Sequence, residues 1–178
     1  LVDADPQGTA RDWSAKSEAH TPTTVGVDRP TVHNEIPSIE GFDIAIVDAV
    51  GKLEKMTVSV IKASDLVLVP IQPSAADLWA VGQVIDHIET RREITDGRPD
   101  ARFVISRAIG SSTMTDQVQK ILDEAPFGRL EASVNQRVAF ARALGRGLSI
   151  HQTSDGKGKD EINAITDELE QILCDNGQ

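Results

Sequence analysis

The sequence predicts an α/β fold: a central, mostly parallel, twisted sheet with helices on both faces. Three observations lead there. Phe42-Asp43-Ile44-Ala45-Ile46-Val47-Asp48 and Leu66-Val67-Leu68-Val69-Pro70-Ile71 are near-continuous apolar runs, the pattern of strands buried on both faces of a parallel sheet. Stretches of helical periodicity separate such runs, so strand and helix alternate along the chain. With 178 residues, 39% hydrophobic and 26% charged, the chain has the size and composition of one globular domain.

Leu1-Val2-Asp3-Ala4-Asp5-Pro6-Gln7-Gly8 reads as the carboxyl tip of a buried strand. Asp3 and Asp5 lie at i and i+2, which puts both carboxylates on one side of it. Only two apolar residues precede them and the chain does not open with Met, so it is expected to start inside a fold. Thr9 to about Ala19 reads as a helix with Ala10 and Trp13 inward, and Thr23 to Val27 as a short strand. Residues 28–41, with Pro30, Pro37 and Gly41, read as loop with a helical turn. Phe42 to Asp48 is a strand ending in an acid. Lys52 to Ala63 is helical, with Leu53, Met56, Val60 and Ile61 at helical spacing.

Leu66 to Ile71 is the next strand. Asp77 to about Glu93 is a long helix with Leu78, Val81, Val84, Ile85 and Ile88 on one side, ended by Asp96-Gly97-Arg98-Pro99. Arg102 to Ser106 is a strand, Met114 to Ala125 a helix, Leu130 to Val134 a strand, and Gln136 to Leu144 a helix stopped by Gly145 and Gly147. Ser154 to Lys159 reads as a Gly/Lys loop before a final amphipathic helix, Asp160 to Cys174, whose opening acids suit its N-terminus. Trp13 and Trp79 are expected in the core. His20, His33, His87 and His151 are scattered without metal-ligand spacing.

Composition excludes several classes. The longest apolar run is too short to cross a bilayer. Cys174 is the single cysteine, which rules out an internal disulfide and a cysteine-based metal cluster and suits a reducing cytosol. The net charge of −10 is uneven: −8 over residues 1–90, +4 over 91–159 and −6 over 160–178. Eight of the basic residues lie between Arg98 and Arg146, and seven of those are Arg, the side chain suited to phosphate contacts. A solvated surface, or ion pairs to the acidic last helix, accounts for the same arginines equally well.

Asp48 closes an apolar strand, as an acid that faces a hydrated Mg²⁺ does. On its own this is a common strand ending. Two strands of one parallel sheet would, however, bring Asp3, Asp5 and Asp48 to a single edge, where unpaired carboxylates are costly without a cation. Asp3-Ala4-Asp5-Pro6-Gln7-Gly8 followed by Arg11-Asp12-Trp13 resembles the second signature of the ParA partition ATPases, the deviant-Walker family that includes the MinD-type proteins. Ile46-Val47-Asp48 resembles its Walker-B strand, and Ala63 to Ser74 the strand and turn that follow. Phe103-Val104-Ile105-Ser106-Arg107 resembles a later strand, and Gln136-Arg137-Val138-Ala139-Phe140 with Gly147 the late helix. The similarity spans nearly the whole chain and is nearest to small plasmid-type members.

The resemblance implies a P-loop NTPase-like fold, ATP and Mg²⁺ as ligands, and partition of plasmid or chromosomal DNA. Residues 1–178 would be a single ATPase domain, cytoplasmic and nucleoid-associated. It would bind DNA non-specifically as an ATP-bound homodimer and be stimulated by a centromere-binding, ParB-like adaptor, with no membrane partner. Asp48 would order Mg²⁺ through water, and Asp5 would position the attacking water with Asp3 in support, or with those two roles exchanged. Pro6, Gln7, Arg107 and Gln136 are expected near the nucleotide, and Arg137, Arg142 and Arg146 at DNA phosphates, with Arg107 a further candidate there.

One departure stands out. A P-loop ends in Gly-Lys-Ser/Thr, whereas this chain has only Gly51-Lys52-Leu53, Gly156-Lys157-Gly158 and Gly158-Lys159-Asp160. The first strand, P-loop and first helix are therefore expected upstream of Leu1, and the chain as it stands is expected to be inactive. Ala49-Val50-Gly51 also differs from the Gly-Ala-Pro common after the Walker-B acid. Two other readings remain open: a relative that naturally lacks the P-loop and acts as an adaptor, and a metabolic enzyme on the same scaffold.

Overall fold

Parallel pairing organises the chain into two three-stranded sheets, in the orders β2-β1-β3 and β4-β5-β6. The computed structural model describes residues 1–18, 22–50, 54–110 and 112–176. In chain order the elements are β1 (Val2–Asp3), α1 (Thr9–Lys16), β2 (Val25–Gly26), α2 (Val32–Glu35), β3 (Val47–Asp48), α3 (Glu54–Ala63), β4 (Leu66–Ile71), α4 (Ala75–Ala80), α5 (Gly82–Glu93), β5 (Asp100–Ala108), α6 (Thr113–Asp123), β6 (Arg129–Asn135), α7 (Val138–Gly145) and α8 (Gly156–Asn176). Short 3-10 turns cover Ile36–Ser38 and Ile150–Gln152.

The second sheet follows from its apolar runs. β4 pairs in register with β5 from Leu66↔Asp100 to Ile71↔Ile105. Along β5 the alternation splits two cores. Phe103 and Ile105 face Ile88 of α5 and Val118 and Leu122 of α6, while Val104 faces Ile165 of α8 together with Leu130. Helices therefore cover both faces, as the alternating pattern requires. Phe103, fully buried, stacks on Phe127 at 5.7 Å between ring centroids. The first sheet has a smaller core, in which Val2, Ala4, Val27, Val32, Met56 and Val60 meet. α3 joins the two cores: Met56 and Val60 belong to the first, Ile61 to the second.

Several expectations need correction. Only Val47 and Asp48 of the expected 42–48 strand enter a ladder, and Phe42, Ile44 and Ile46 are exposed. The ladder is short because β1 supplies few partners: Val2 donates to Ile46 O and Ala4 to Asp48 O, each at 2.8 Å. The long 77–93 helix starts at Ala75 and is interrupted at Val81, where α4 ends and α5 begins. Ser74 caps α4 by accepting from Asp77 N–H. Trp79 is not a core residue but 82% exposed. It sits beside Leu78, which takes the inward position of that turn. Gly156 to Lys159 is helical rather than loop, because the Asp155 carboxylate accepts from Gly158 N–H at 2.9 Å and caps α8 from outside. The first turn of α8 therefore contains no acid. The expected positions Ala19, His20, Lys52 and Leu53 lie outside the described residues.

The outer edge of β6 is covered by α8. Glu168 accepts from Glu131 N–H at 2.8 Å and Ala132 N–H at 2.6 Å, and Glu161 accepts from Asn135 N–H at 3.1 Å. Two carboxylates seven positions apart lie about 10 Å apart along a helix, close to the span of three or four strand residues, so one helix face serves two places on the edge. Carboxylates thus take the place of a neighbouring strand on backbone groups that would otherwise invite pairing with another chain.

Candidate functional site

At the carboxyl end of the first sheet, one rung of parallel pairing sets Gly26 beside Asp3 and Asp3 beside Asp48. Partners in register on adjacent strands project to the same face, so the Asp3 and Asp48 carboxylates share a side of the sheet. The turn that follows β1 explains the Asp-Pro-Gln-Gly sequence. Asp5 O accepts from Gly8 N–H at 2.9 Å, closing a four-residue turn in which Pro6 holds the second position. Gly8 then takes a φ of 70°, natural for glycine, at the N-cap of α1. Pro6 and Gln7 stand exposed at the tip.

The two motif aspartates have different surroundings. Asp3 is fully buried, and both of its oxygens are engaged. Oδ1 accepts from Asp5 N–H at 3.1 Å, and Oδ2 from Arg11 N–H at 2.9 Å and Arg11 Nε at 3.4 Å. It ties the strand tip to the first turn of α1. Asp5 is half-buried, and its Oδ1 accepts from Gln7 N–H at 2.8 Å. Asp48 is solvent-accessible yet partly desolvated. That desolvation, then the negative charge of Asp3, then that of Asp5, push its carboxyl above the usual range. A positive charge near Asp48 would relieve the repulsion. Among the described residues no three His, Cys, Asp or Glu side chains gather as direct metal ligands.

Arg107 and Gln136 lie at the carboxyl end of the second sheet. They are brought side by side where Gln136 N–H donates to Ala108 O at 2.8 Å. Arg107 has a φ of 55°, the left-handed region that a long side chain rarely adopts, and it is exposed. Residues held there cost roughly 1–3 kcal/mol and are concentrated at functional sites.

The three arginines expected at DNA separate into two groups. Arg142 and Arg146, on and just beyond α7, are exposed and line a cleft of about 360 Å³ with Gln152, Ser154 and Asp155. Arg137 is instead committed internally. Its Nη2 donates to Glu161 Oε1 at 2.5 Å, its Nε donates to both Glu161 oxygens, and Asp155 lies at 3.8 Å. The ion pair to the last helix, one of the readings the sequence leaves open, is present.

The hydrogen bonds from Arg137, outweighing burial and joined by those of Asn135, hold the Glu161 carboxyl below its ordinary value of 4.5. A folded-state value below the unfolded one gives stability that is complete above about pH 4.5 and is lost as pH falls through the folded-state value. The melting temperatures of the wild type and Glu161→Gln are therefore expected to differ at pH 7 and to converge at strongly acidic pH. A difference that stays constant across that range contradicts the assignment.

Two contributors were not legible in the sequence. Arg11 meets Asp3 only through the turn at Gly8 and the register that sets Gly26 alongside. Trp13, expected inward, is half-buried and donates from Nε1 to Leu148 O at 3.1 Å, joining α1 to the corner after α7.

No protein-family model matches the chain. It is 31% identical over 177 residues to the maintenance of carboxysome distribution protein A of Halothiobacillus neapolitanus, covering 95% of this chain and 81% of that protein. The protein of the same name from Gloeobacter kilaueensis is 28% identical over 181 residues, covering 96% of this chain and 80% of its own. Protein ParA of Rhizobium radiobacter is 26% identical over 165 residues, covering 89% and 73%.

Proposed function

Because the chain belongs to the ParA/MinD family of positioning and partition ATPases, we propose that it distributes a cellular cargo by an ATP-dependent cycle of DNA association. The cargo would be a DNA replicon or a body of the kind its relatives are named for. In this reading the protein binds Mg²⁺ and ATP, associates as a homodimer with DNA of any sequence, and is released when an adaptor protein stimulates hydrolysis. The observation that carries the reading is the rung in which Asp3 and Asp48 stand in register, with Asp5 on the turn directly beyond.

The residues divide the work by their surroundings. Asp48, whose ionised form is disfavoured by partial burial and then by its acidic neighbours, would hold hydrated Mg²⁺, which when bound supplies charge neutralisation for the phosphates. Asp5 is half-buried, its carboxylate accepts from Gln7 N–H at Oδ1, and Oδ2 would orient a water for in-line attack. Asp3 is engaged on both oxygens and supports the geometry without touching the reacting atoms. Pro6 and Gln7 at the tip, and Arg107 and Gln136 on the second sheet, would border the nucleotide. None of the Gly-Lys pairs in this sequence forms a phosphate-cradling Gly-Lys-Ser/Thr, so turnover is expected only where such a loop completes the site.

Arg142 and Arg146 are the proposed DNA contacts. Both are exposed, one on α7 and one just beyond it. Phosphate contacts of this kind do not read sequence and weaken steeply with salt. Arg142→Ala with Arg146→Ala, in the full-length protein with ATP, is expected to reduce the slope of log affinity against log salt by about 2. The loss should be uniform across DNA sequences. An unchanged slope in the folded double variant rejects this surface.

A further inference from the structure

We propose that Arg11 is a positioning residue of the acidic edge: seated in a slot made by Gly8 and Gly26, it fixes the Asp3 carboxylate beside Asp48 and Asp5. The inference rests on the reading of that edge as a Mg²⁺–nucleotide site. Its evidence is the space the guanidinium occupies. A Cβ built on Gly26 would stand 2.8 Å from both Cδ and Nη1 of Arg11, and one on Gly8 would stand 3.0 Å from Nη2. At 2.8 Å the Arg11 side chain would have to shift, and at 3.0 Å it would have to give by a few tenths of an ångström.

Gly8 has a second reason to be glycine, its positive φ, whereas no positive φ is recorded for Gly26. Backbone conformation therefore does not demand glycine at residue 26; the space taken by the Arg11 side chain is what favours it there. On the rung that sets Gly26, Asp3 and Asp48 side by side, the Arg11 side chain fills the place where a residue-26 side chain would project. The order across the rung is thus one cation followed by two carboxylates. Asp3 is fully buried, and a buried carboxylate without a counter-charge is strongly unfavourable. Arg11 supplies that counter-charge through Nε, while its backbone N–H holds the same oxygen. Its side chain is 40% exposed. Asp3 in turn orients the Asp5 amide, so a displaced guanidinium is transmitted to the turn that carries Asp5.

Two chemically unrelated variants test this. Arg11→Gln removes the guanidinium, and Gly26→Ala leaves it in the sequence but evicts it from its slot. In the full-length protein with ATP, each is expected to weaken Mn²⁺ binding, followed by electron paramagnetic resonance, by about tenfold. Outer positioning groups of metal sites typically contribute that much. Each should also raise amide exchange at Asp5 and Arg11, whose N–H groups Asp3 holds, by a similar factor. The double variant should be no worse than either single one, because both act on one interaction. If Arg11→Gln does not fold, Arg11→Lys keeps the charge and loses the fork, and an intermediate loss of both signals is expected.

A wild type that binds Mn²⁺ with ATP, with folded variants indistinguishable from it, overturns the inference alone. Additive losses in the double variant overturn it too. A wild type in which ATP recruits no Mn²⁺ overturns the reading of the edge, and this inference with it.

Discussion

Asp5→Ala is expected to lower ATP turnover of the full-length protein by about a hundredfold to ten-thousandfold, the range for loss of a group that positions or activates a nucleophile, with ATP affinity nearly unchanged. The argument is local. The turn from Asp5 to Gly8 fixes the backbone by the Asp5 O to Gly8 N–H bond, and Gln7 N–H holds Oδ1 of the carboxylate. A carboxylate held on this fixed turn can orient water without serving as a ligand. Asp3→Ala is expected to behave differently. It leaves the half-buried amides of Asp5 and Arg11 without their acceptor and Arg11 without its carboxylate, so stability should fall by about 1–3 kcal/mol, the cost of donors left unsatisfied. Single-turnover rates with calorimetric ATP binding separate the two cases. Full turnover in Asp5→Ala removes Asp5 from the chemistry.

The second large effect concerns Gly147, far from the acids in sequence. Its φ is 67°, and a Cβ would lie 2.7 Å from the backbone carbon of Lys16 and 2.8 Å from Ser17 N. Here the opposing atoms are main chain at the end of α1 and cannot rotate away. Left-handed strain for a non-glycine residue and overpacking together give an expected loss of about 3 kcal/mol for Gly147→Ala. Gly145→Ala, two residues earlier at the end of α7, meets nothing within 4 Å and should be neutral, or stabilising by up to about 1 kcal/mol. Urea unfolding of the pair gives the comparison. Equal stabilities would mean that α1 does not rest on this corner. The contact matters for function because α1 starts at the Asp3–Arg11 interaction and ends, through Trp13 and Lys16, on the corner that follows Arg142 and Arg146.

Legibility in the sequence tracked how local the cause was. β4 was readable to the residue because six consecutive residues suit a strand covered on both sides. The inward face of α5 was readable because Val81 and Ile88 are buried and Val84 and Ile85 pack beside them at helical spacing. The acidic edge was readable because strand-tip acids in a parallel sheet share an end. Strand extent was not: Phe42 to Ile46 has strand composition, but its pairing depends on how many residues β1 offers. A core position for Trp79 follows from its place on a helix, yet that position lies off the stripe defined by Leu78 and Val81. Gly156 to Lys159 has loop composition, and only the Asp155 cap shows that helix wins there. Arg11 and Gly26 are separated by a turn, a helix and a register that no local pattern encodes. For Arg137 the sequence leaves phosphate contact and an ion pair to the last helix equally open, and which carboxylate α8 brings to it, Glu161, is set by tertiary packing.

The most direct measurement is the dependence of ATP affinity on Mg²⁺ in the full-length protein, for wild type and Asp48→Ala at neutral pH. The account predicts that Mg²⁺ tightens ATP binding by about tenfold or more in the wild type and that this gain vanishes in the variant while the fold persists. An Asp48→Ala protein whose ATP binding responds to Mg²⁺ as strongly as the wild type contradicts it.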